Sequence, residues 1–320
     1  MKHGKQHFVA QSYLRAWCDP ATPADQAPYV WRFAKDGSDP RRKAPENIFH
    51  ETDLYTIIAP DGGRDLRLEH GLAQLEDEFV KIRDRKLVRH QELERRDRLL
   101  LCAFVAAAQM RTPAQRNHLA GMWGQALEHG KAVEEWAKTA TPAQRQAASG
   151  LPAPDPDRSL SLEEVQALAE RPLQTTLAAH IRTLTPMLAR LDLFVLMTAD
   201  SAGFITSDNP CVWFDAEAYK RPPLYQGVGL VYPSIEITLP VSPHRLLLFH
   251  CRGRSGYVSP PQHVVDEMNR RTRAYCREYF VTNRNATRPI WFDLGEEPED
   301  SWRRLHPGSE RTADRDWHET

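Results

Sequence analysis

The sequence predicts an α+β fold: a central helical block, a mostly antiparallel sheet from the C-terminal third, and short strands near the N-terminus. Three observations carry this. Apolar residues recur at three- and four-residue steps from Leu68 onward, the period of one face of a helix. The last third holds short apolar runs separated by Gly, Pro, Ser and Asp, the punctuation of strands joined by turns. The stretch before Leu66 alternates in the period of two and is broken by Asp-Gly and Gly-Gly turns.

Element by element, Tyr29-Val30-Trp31-Arg32-Phe33 alternates and stops at Asp36-Gly37, and Leu54-Tyr55-Thr56-Ile57-Ile58 stops before Asp61-Gly62-Gly63. Both read as strands able to pair in one small sheet. Leu68, Leu72, Leu75, Phe79 and Ile82 mark the first amphipathic helix, and Leu99 to Met110, apolar nearly all round, reads as the most buried one. That helix should stop at Arg111, because Pro113 disfavours helical geometry at Thr112. Thr112-Pro113-Ala114-Gln115, Thr141-Pro142-Ala143-Gln144 and Ser161-Leu162-Glu163-Glu164 each read as a helix start with a capping box. The block then runs to about Thr185, with Lys138 to Asp157, poor in large apolar residues, as a mobile excursion. Leu193 to Met197, Phe204 to Thr206, Ile235 to Leu239 and Leu246 to Phe249 are strands, followed by a helix from Pro261 to Cys276 and a strand at Tyr279-Phe280-Val281. Residues 1–296 read as a single domain and 297–320 as a polar tail.

Composition narrows the function by exclusion. The 42 Lys+Arg balance 43 Asp+Glu, so no global field favours nucleic acid or membrane. The local run Arg83, Arg85, Lys86 and Arg89 is offset by Glu92, Glu94 and Asp97 and reads as a solvated face. Five widely spaced cysteines without a Cys-x-x-Cys pair form neither a disulfide framework nor a thiolate zinc site. Polar residues break Met1 to Trp17, which does not read as a signal peptide, and Leu99 to Ala108 is about half the length of a membrane helix. A cytoplasmic location without a membrane partner is expected.

Phosphate loops, His-Glu-x-x-His and Gly-x-Ser-x-Gly elbows are absent, so the candidates are polar residues whose positions need explaining. On a helix His3 and His7 would share a face; the competing reading of His7 is a hydrogen-bonded structural histidine. Glu69 and Glu76 lie two turns apart at the border of the first apolar stripe, either solvated or turned inward. Gln109 and Arg111 end the most apolar helix, where a guanidinium needs a carboxylate, phosphate or carbonyl partner: a salt bridge or an anion clamp. Ser207-Asp208-Asn209-Pro210 follows a strand and is either a plain Asx-type turn or a place where Asp208 serves as base or metal ligand. Ser242-Pro243-His244 is a similar turn. The Arg111-x6-His118 spacing is similar to the Arg/His pair of HEPN-superfamily ribonucleases, although the β-rich third does not suit an all-helical nuclease.

Five segments in order resemble the bacterial domain-of-unknown-function family 4238: His7 to Trp17, Glu69 through Glu76, Gln109-Met110-Arg111-Thr112-Pro113, Ile205 to Pro210, and Leu239-Pro240-Val241-Ser242-Pro243. Ala10 stands where the first motif would carry Pro. The resemblance implies one module from His7 to about Val281, with His7, Glu69, Glu76, Gln109, Arg111 and Asp208 as neighbours, and brings no reaction with it. Such a constellation suits a hydrolase, a metal-dependent phosphodiesterase or nuclease. In that reading Glu69, Glu76 and Asp208 hold a divalent metal ion, His7 is the acid or base, and Gln109, Arg111, Ser207 and Asn209 bind a nucleotide or nucleic acid. The alternatives are a non-catalytic module that binds nucleic acid or a protein, and a purely structural network.

Overall fold

A computed structural model describes residues 4–59, 61–148 and 159–293. His3, the second half of the expected excursion (149–157) and the expected tail lie outside these residues. The N-terminal part carries β1 (Lys5–His7), α1 (Gln11–Leu14), β2 (Val30–Ala34), β3 (Arg41–Lys43), β4 (His50–Thr52), β5 (Ile57–Ile58) and β6 (Arg64–Asp65). The helical block follows as α2 (Arg67–Ile82), α3 (Arg95–Met110), α4 (Pro113–Thr139), α5 (Pro142–Ala148), α6 (Leu162–Glu170) and α7 (Pro172–Leu188). The last third holds β7 (Asp192–Met197), β8 (Thr206–Ser207), β9 (Val212–Asp215), β10 (Ile235–Ser242), β11 (Arg245–His250), β12 (Gly256–Val258), α8 (Gln262–Tyr275) and β13 (Tyr279–Thr282). This is an α+β architecture with predominantly antiparallel sheets.

The larger sheet has the order β12-β7-β11-β10-β9, all antiparallel except β12 beside β7. The second, β3-β2-β13-β8, joins the N-terminal part to the end of the chain, with Phe280 opposite both Phe33 and Ser207. The two alternating segments near the N-terminus do not pair with each other: β2 lies between β3 and β13, and β5 closes a two-residue hairpin with β6. Alternation predicted strands there but could not choose partners, because β13 is more than two hundred residues away.

Two of the three expected capping boxes form, at Thr141 and Ser161, and at Thr112 only the hydroxyl half of the box is present. The Thr112 hydroxyl accepts from the Gln115 amide at the start of α4, and Ser161 and Glu164 cap each other's backbone at α6. The Thr141/Gln144 pair does the same for α5, so the first half of the expected excursion is helix. In the segment Leu99 to Met110 every residue from Leu101 onward is buried except the half-buried Ala103 and Gln109, but Leu99 is exposed. The polar helix α8 is buried at nine consecutive positions, Val265 to Arg273. There charge pairing replaces apolarity. Arg271 bridges Glu267 (3.0 Å) and Glu236 (2.7 Å), and Arg270 grips Glu267 (2.7 Å). In the basic run expected to be solvated, Arg83 turns inward and donates to the Ser12 and Tyr13 carbonyls.

One apolar cluster joins α1, α2, α3, α7 and the larger sheet, with the Phe79 and Phe104 rings stacked 3.7 Å apart where α2 meets α3. No described helix is long and apolar enough to cross a membrane.

Candidate functional site

The first motif begins as a strand, not a helix: Lys5, Gln6 and His7 pair with Thr52, Glu51 and His50 of β4. Alternation along β1 turns Gln6 inward and leaves His7 half-buried. The short α1 then buries Tyr13, and the 3-10 turn after it, Arg15–Trp17, buries Trp17. The Tyr13 hydroxyl meets the Thr206 hydroxyl at 2.7 Å and donates to the Pro240 carbonyl at 2.6 Å, and the Trp17 indole donates to the Phe204 carbonyl. Three motif segments, far apart in sequence, are therefore tied together through one tyrosine.

Arg111 ends α3 and is 2% exposed. Its Nη1 donates to Glu76 Oε1 at 2.5 Å, and its guanidinium lies 5.9 Å from the Phe104 ring centre. Burial disfavours its charge, but Glu76, then Tyr55 and Tyr13, more than offset that and hold its pKa above the usual value. His7 is in the electrostatic reach of this pair. Its pKa is lowered, chiefly by burial and then by His50 and Arg111, against raising effects from the Glu46 backbone and Glu76. The ring is therefore a neutral imidazole at pH 7. The His50 ring stands edge-on to it at 5.4 Å.

Among the described residues, His7 Nε2 and Arg111 Nε are buried without a hydrogen-bond partner, as is Gln109 Oε1 on the last turn of α3. A buried group left unpaired costs about 1–3 kcal/mol, so the two beside the Glu76 ion pair mark a place that tolerates cost. Beside the cluster opens a cleft of about 310 Å³, walled by Phe8, Phe49, His50, Pro113, Asp208 and Tyr279 among others. Arg32, also on its wall, lies over the Tyr279 ring at 4.0 Å.

The remaining sequence candidates are engaged with other partners. Glu69, in the first turn of α2, accepts from Gln6 Nε2 at 2.7 Å, while the same amide reaches Thr56 and the Gln6 carbonyl receives the Tyr55 amide. Asp208 faces the cleft, yet both oxygens are occupied by the amides of Arg277 (2.7 Å), Glu278 (2.7 Å) and Tyr279 (2.9 Å). Burial raises its carboxyl above the usual range, against the pull of those three amides. Ser207 Oγ accepts from the Asn209 amide, and Asn209 Nδ2 donates to the Tyr275 carbonyl. In this turn the side chains serve the backbone, as the plainer sequence reading had it.

The expected metal triad needs correction. Glu69, Glu76 and Asp208 are engaged by Gln6, Arg111 and three amides respectively, and among the described residues no group of three His, Cys, Asp or Glu side chains could hold a metal ion. The donor set does not fit a divalent cation. The Arg111/His118 pairing also fails: Arg111 is buried against Glu76, while His118 is exposed on α4. His244 sits at an exposed turn, where its ring nitrogen contacts the Thr198 carbonyl.

The sequence reading missed Gln6, Tyr13, His50, Tyr55 and Arg32. Gln6, Tyr13 and His50 have no spacing signal; Arg32 and Tyr55 lay inside strands already recognised, where an alternating position marks a face but not its neighbours.

A family model described as a protein of unknown function (DUF4238) matches residues 5–286. No curated protein and no solved structure matches the chain.

Proposed function

The chain belongs to the DUF4238 family of unknown function, and from that premise we propose that it is a hydrolase of nucleotide-type phosphate esters whose acid–base residue is His7. The observation that carries the reading is His7 itself: a neutral imidazole with a buried, unpartnered Nε2, next to a buried cation and beside a cleft. A neutral imidazole can take a proton from a water poised for attack. The guanidinium of Arg111 supplies charge and hydrogen bonding for an anionic group, a role that arginine's planar fork suits. Glu76 orients Arg111 and tempers its charge. Asp208 acts as a positioning residue, since it holds the backbone of Arg277 to Tyr279 in the cleft wall. No step is routed through a metal, because the donor set does not fit one.

A second reading, a non-catalytic module that binds a nucleotide, is favoured by the saturated turn Ser207 to Asn209 and by the pairing of Arg111 with Glu76. A panel of mononucleotides and nucleotide phosphodiesters separates the two. The hydrolase reading expects turnover that His7→Ala abolishes without lowering the melting temperature. Its pH profile should fall on the acid side with an inflection below the ordinary imidazole value of 6.5. Binding that persists in His7→Ala with no turnover in the parent would support the module instead. If no member of the panel binds or turns over, both readings are wrong.

A further inference from the structure

Arg32 is a cation of the cleft wall to which the protein gives no close partner. β2 turns Val30 and Arg32 to one face of the second sheet, the face that packs on the main apolar cluster, and Tyr279 and Val281 of β13 share it. The guanidinium lies over the Tyr279 ring at 4.0 Å, which fixes where it sits. Among the described residues no protein acceptor takes a hydrogen bond from it, and its Nε is buried without a partner. The nearest carboxylate, Asp39, stands 3.9 Å away and is 46% exposed, and both its oxygens accept from Arg41 Nε at 2.7 and 2.9 Å. The other charges of the wall are already engaged. Glu51 pairs with Arg116 of α4, Arg277 lies 3.6 Å from Glu278, and Asp208 is held by three amides.

We propose that Arg32 is the anion-recognising residue of this cleft, and that the ester it selects is a monoanionic nucleotide diester of single-nucleotide size. The inference rests on the nucleotide-ester reading above and narrows it. One uncommitted guanidinium matches one negative charge, and its planar fork suits the two unesterified oxygens of a diester. A phosphomonoester carries nearly two charges at neutral pH. Its second charge would face the Asp208 carboxylate in the same wall, with Arg111 already paired to Glu76 and no other wall cation left to meet it. At about 310 Å³ the cleft stands at the low end of small-molecule sites, about 300–1,000 Å³, so it holds one nucleotide and not a strand. Phe8, Phe49 and Pro113 make an apolar part of the wall against which a base can lie. Phe49 keeps φ at 57°, a left-handed value that bulky residues adopt only where their surroundings impose it, and its carbonyl accepts the Phe8 and Val9 amides. The two rings are thereby held 5.9 Å apart at the cleft.

Titration calorimetry on the full chain at about pH 7.5, where a phosphomonoester is mostly a dianion, tests this with the common ribonucleosides, their monophosphates and their cyclic monophosphates. Where a ligand is turned over, its binding is measured in the His7→Ala background. The cyclic monophosphates are expected to bind most tightly, and Arg32→Gln to raise their Kd at least about tenfold, the scale of a hydrogen bond to a charged group. Nucleosides, which carry no charge, should bind the parent and the variant alike. Because Arg32 gives no hydrogen bond to the protein, Arg32→Gln should also keep the parental melting temperature, and each titration is made below the melting range. Unchanged affinity in Arg32→Gln, or monophosphates bound more tightly than their cyclic counterparts, would overturn the inference and leave the hydrolase reading to its own turnover assay. Cyclic monophosphates that bind through Arg32 and are never turned over would sustain the inference and sink the hydrolase reading. If no ligand of the set binds, the inference is wrong.

Discussion

Arg111 and Glu76 show how unequal the two halves of an ion pair can be. Arg111 is 2% exposed, whereas the Glu76 side chain keeps 20% of its surface in water. Removing Glu76 leaves a buried cation without its carboxylate, so Glu76→Ala is expected to cost about 3–5 kcal/mol. Arg111→Met keeps the buried volume and leaves Glu76 able to turn toward solvent, so its cost should stay under about 2 kcal/mol. Urea denaturation of the two variants checks the order; a larger loss for Arg111→Met would mean that the guanidinium does more than answer Glu76. The sequence alone showed that an arginine ending an apolar helix needs a partner. It offered Glu69, Glu76 and Asp208 as equals, and only the crossing of α2 and α3 chose Glu76.

At the scale of elements, Asp208 and α8 do work that spacing did not announce. Asp208 ties the turn after β8 to the first residue of β13 and the two before it, through three amides. An asparagine there can accept at one atom only, so Asp208→Asn should lose about 1–3 kcal/mol. Its effect on turnover should follow folding and not the chemical step, which kcat measured at saturating substrate below the melting range will read. Helix α8 was legible as a helix but not as a buried one, since its polar composition resembles a surface. Its burial depends on Glu236 of β10 reaching Arg271, a partner 35 residues away.

Across the whole molecule, one apolar cluster links the N-terminal motif, the helical block and the larger sheet. We expect a single unfolding transition over the described residues, consistent with the domain reading. Its pH dependence follows from four histidines whose pKa values the fold lowers, His7, His50, His180 and His250, in each case chiefly by burial. The unfolded chain takes these protons first, near the ordinary value of 6.5, so it is favoured as pH falls. Stability from these groups is complete above that pH and lost as pH drops through the lower folded values. Asp208 acts oppositely and at more acidic pH, because burial raises its folded pKa from 3.8 against the pull of the three amides it accepts from. Calorimetry should show one transition whose midpoint falls between pH 7 and pH 5, with His250→Gln reducing the fall. A midpoint that is flat or rises on acidification would contradict the burial of these rings.

By itself the sequence determined the α+β class, the helix starts at Thr112, Thr141 and Ser161, and the strands β7, β10 and β11 between Leu193 and Phe249; the strand expected at Phe204 to Thr206 is Thr206–Ser207 in the other sheet, and β9 was not anticipated. The features it determined depend on near neighbours: a hydroxyl three residues from an amide, or an apolar residue every second or fourth position. It also marked His7, Arg111 and Asp208 as polar residues needing an account. Tertiary structure decided what met what. It made the His7 segment a strand beside His50, gave Arg111 to Glu76 and Asp208 to three amides, and buried the charges of α8 against β10. Pairing over tens to hundreds of residues depends on how the elements cross, and no local period or spacing carries that information.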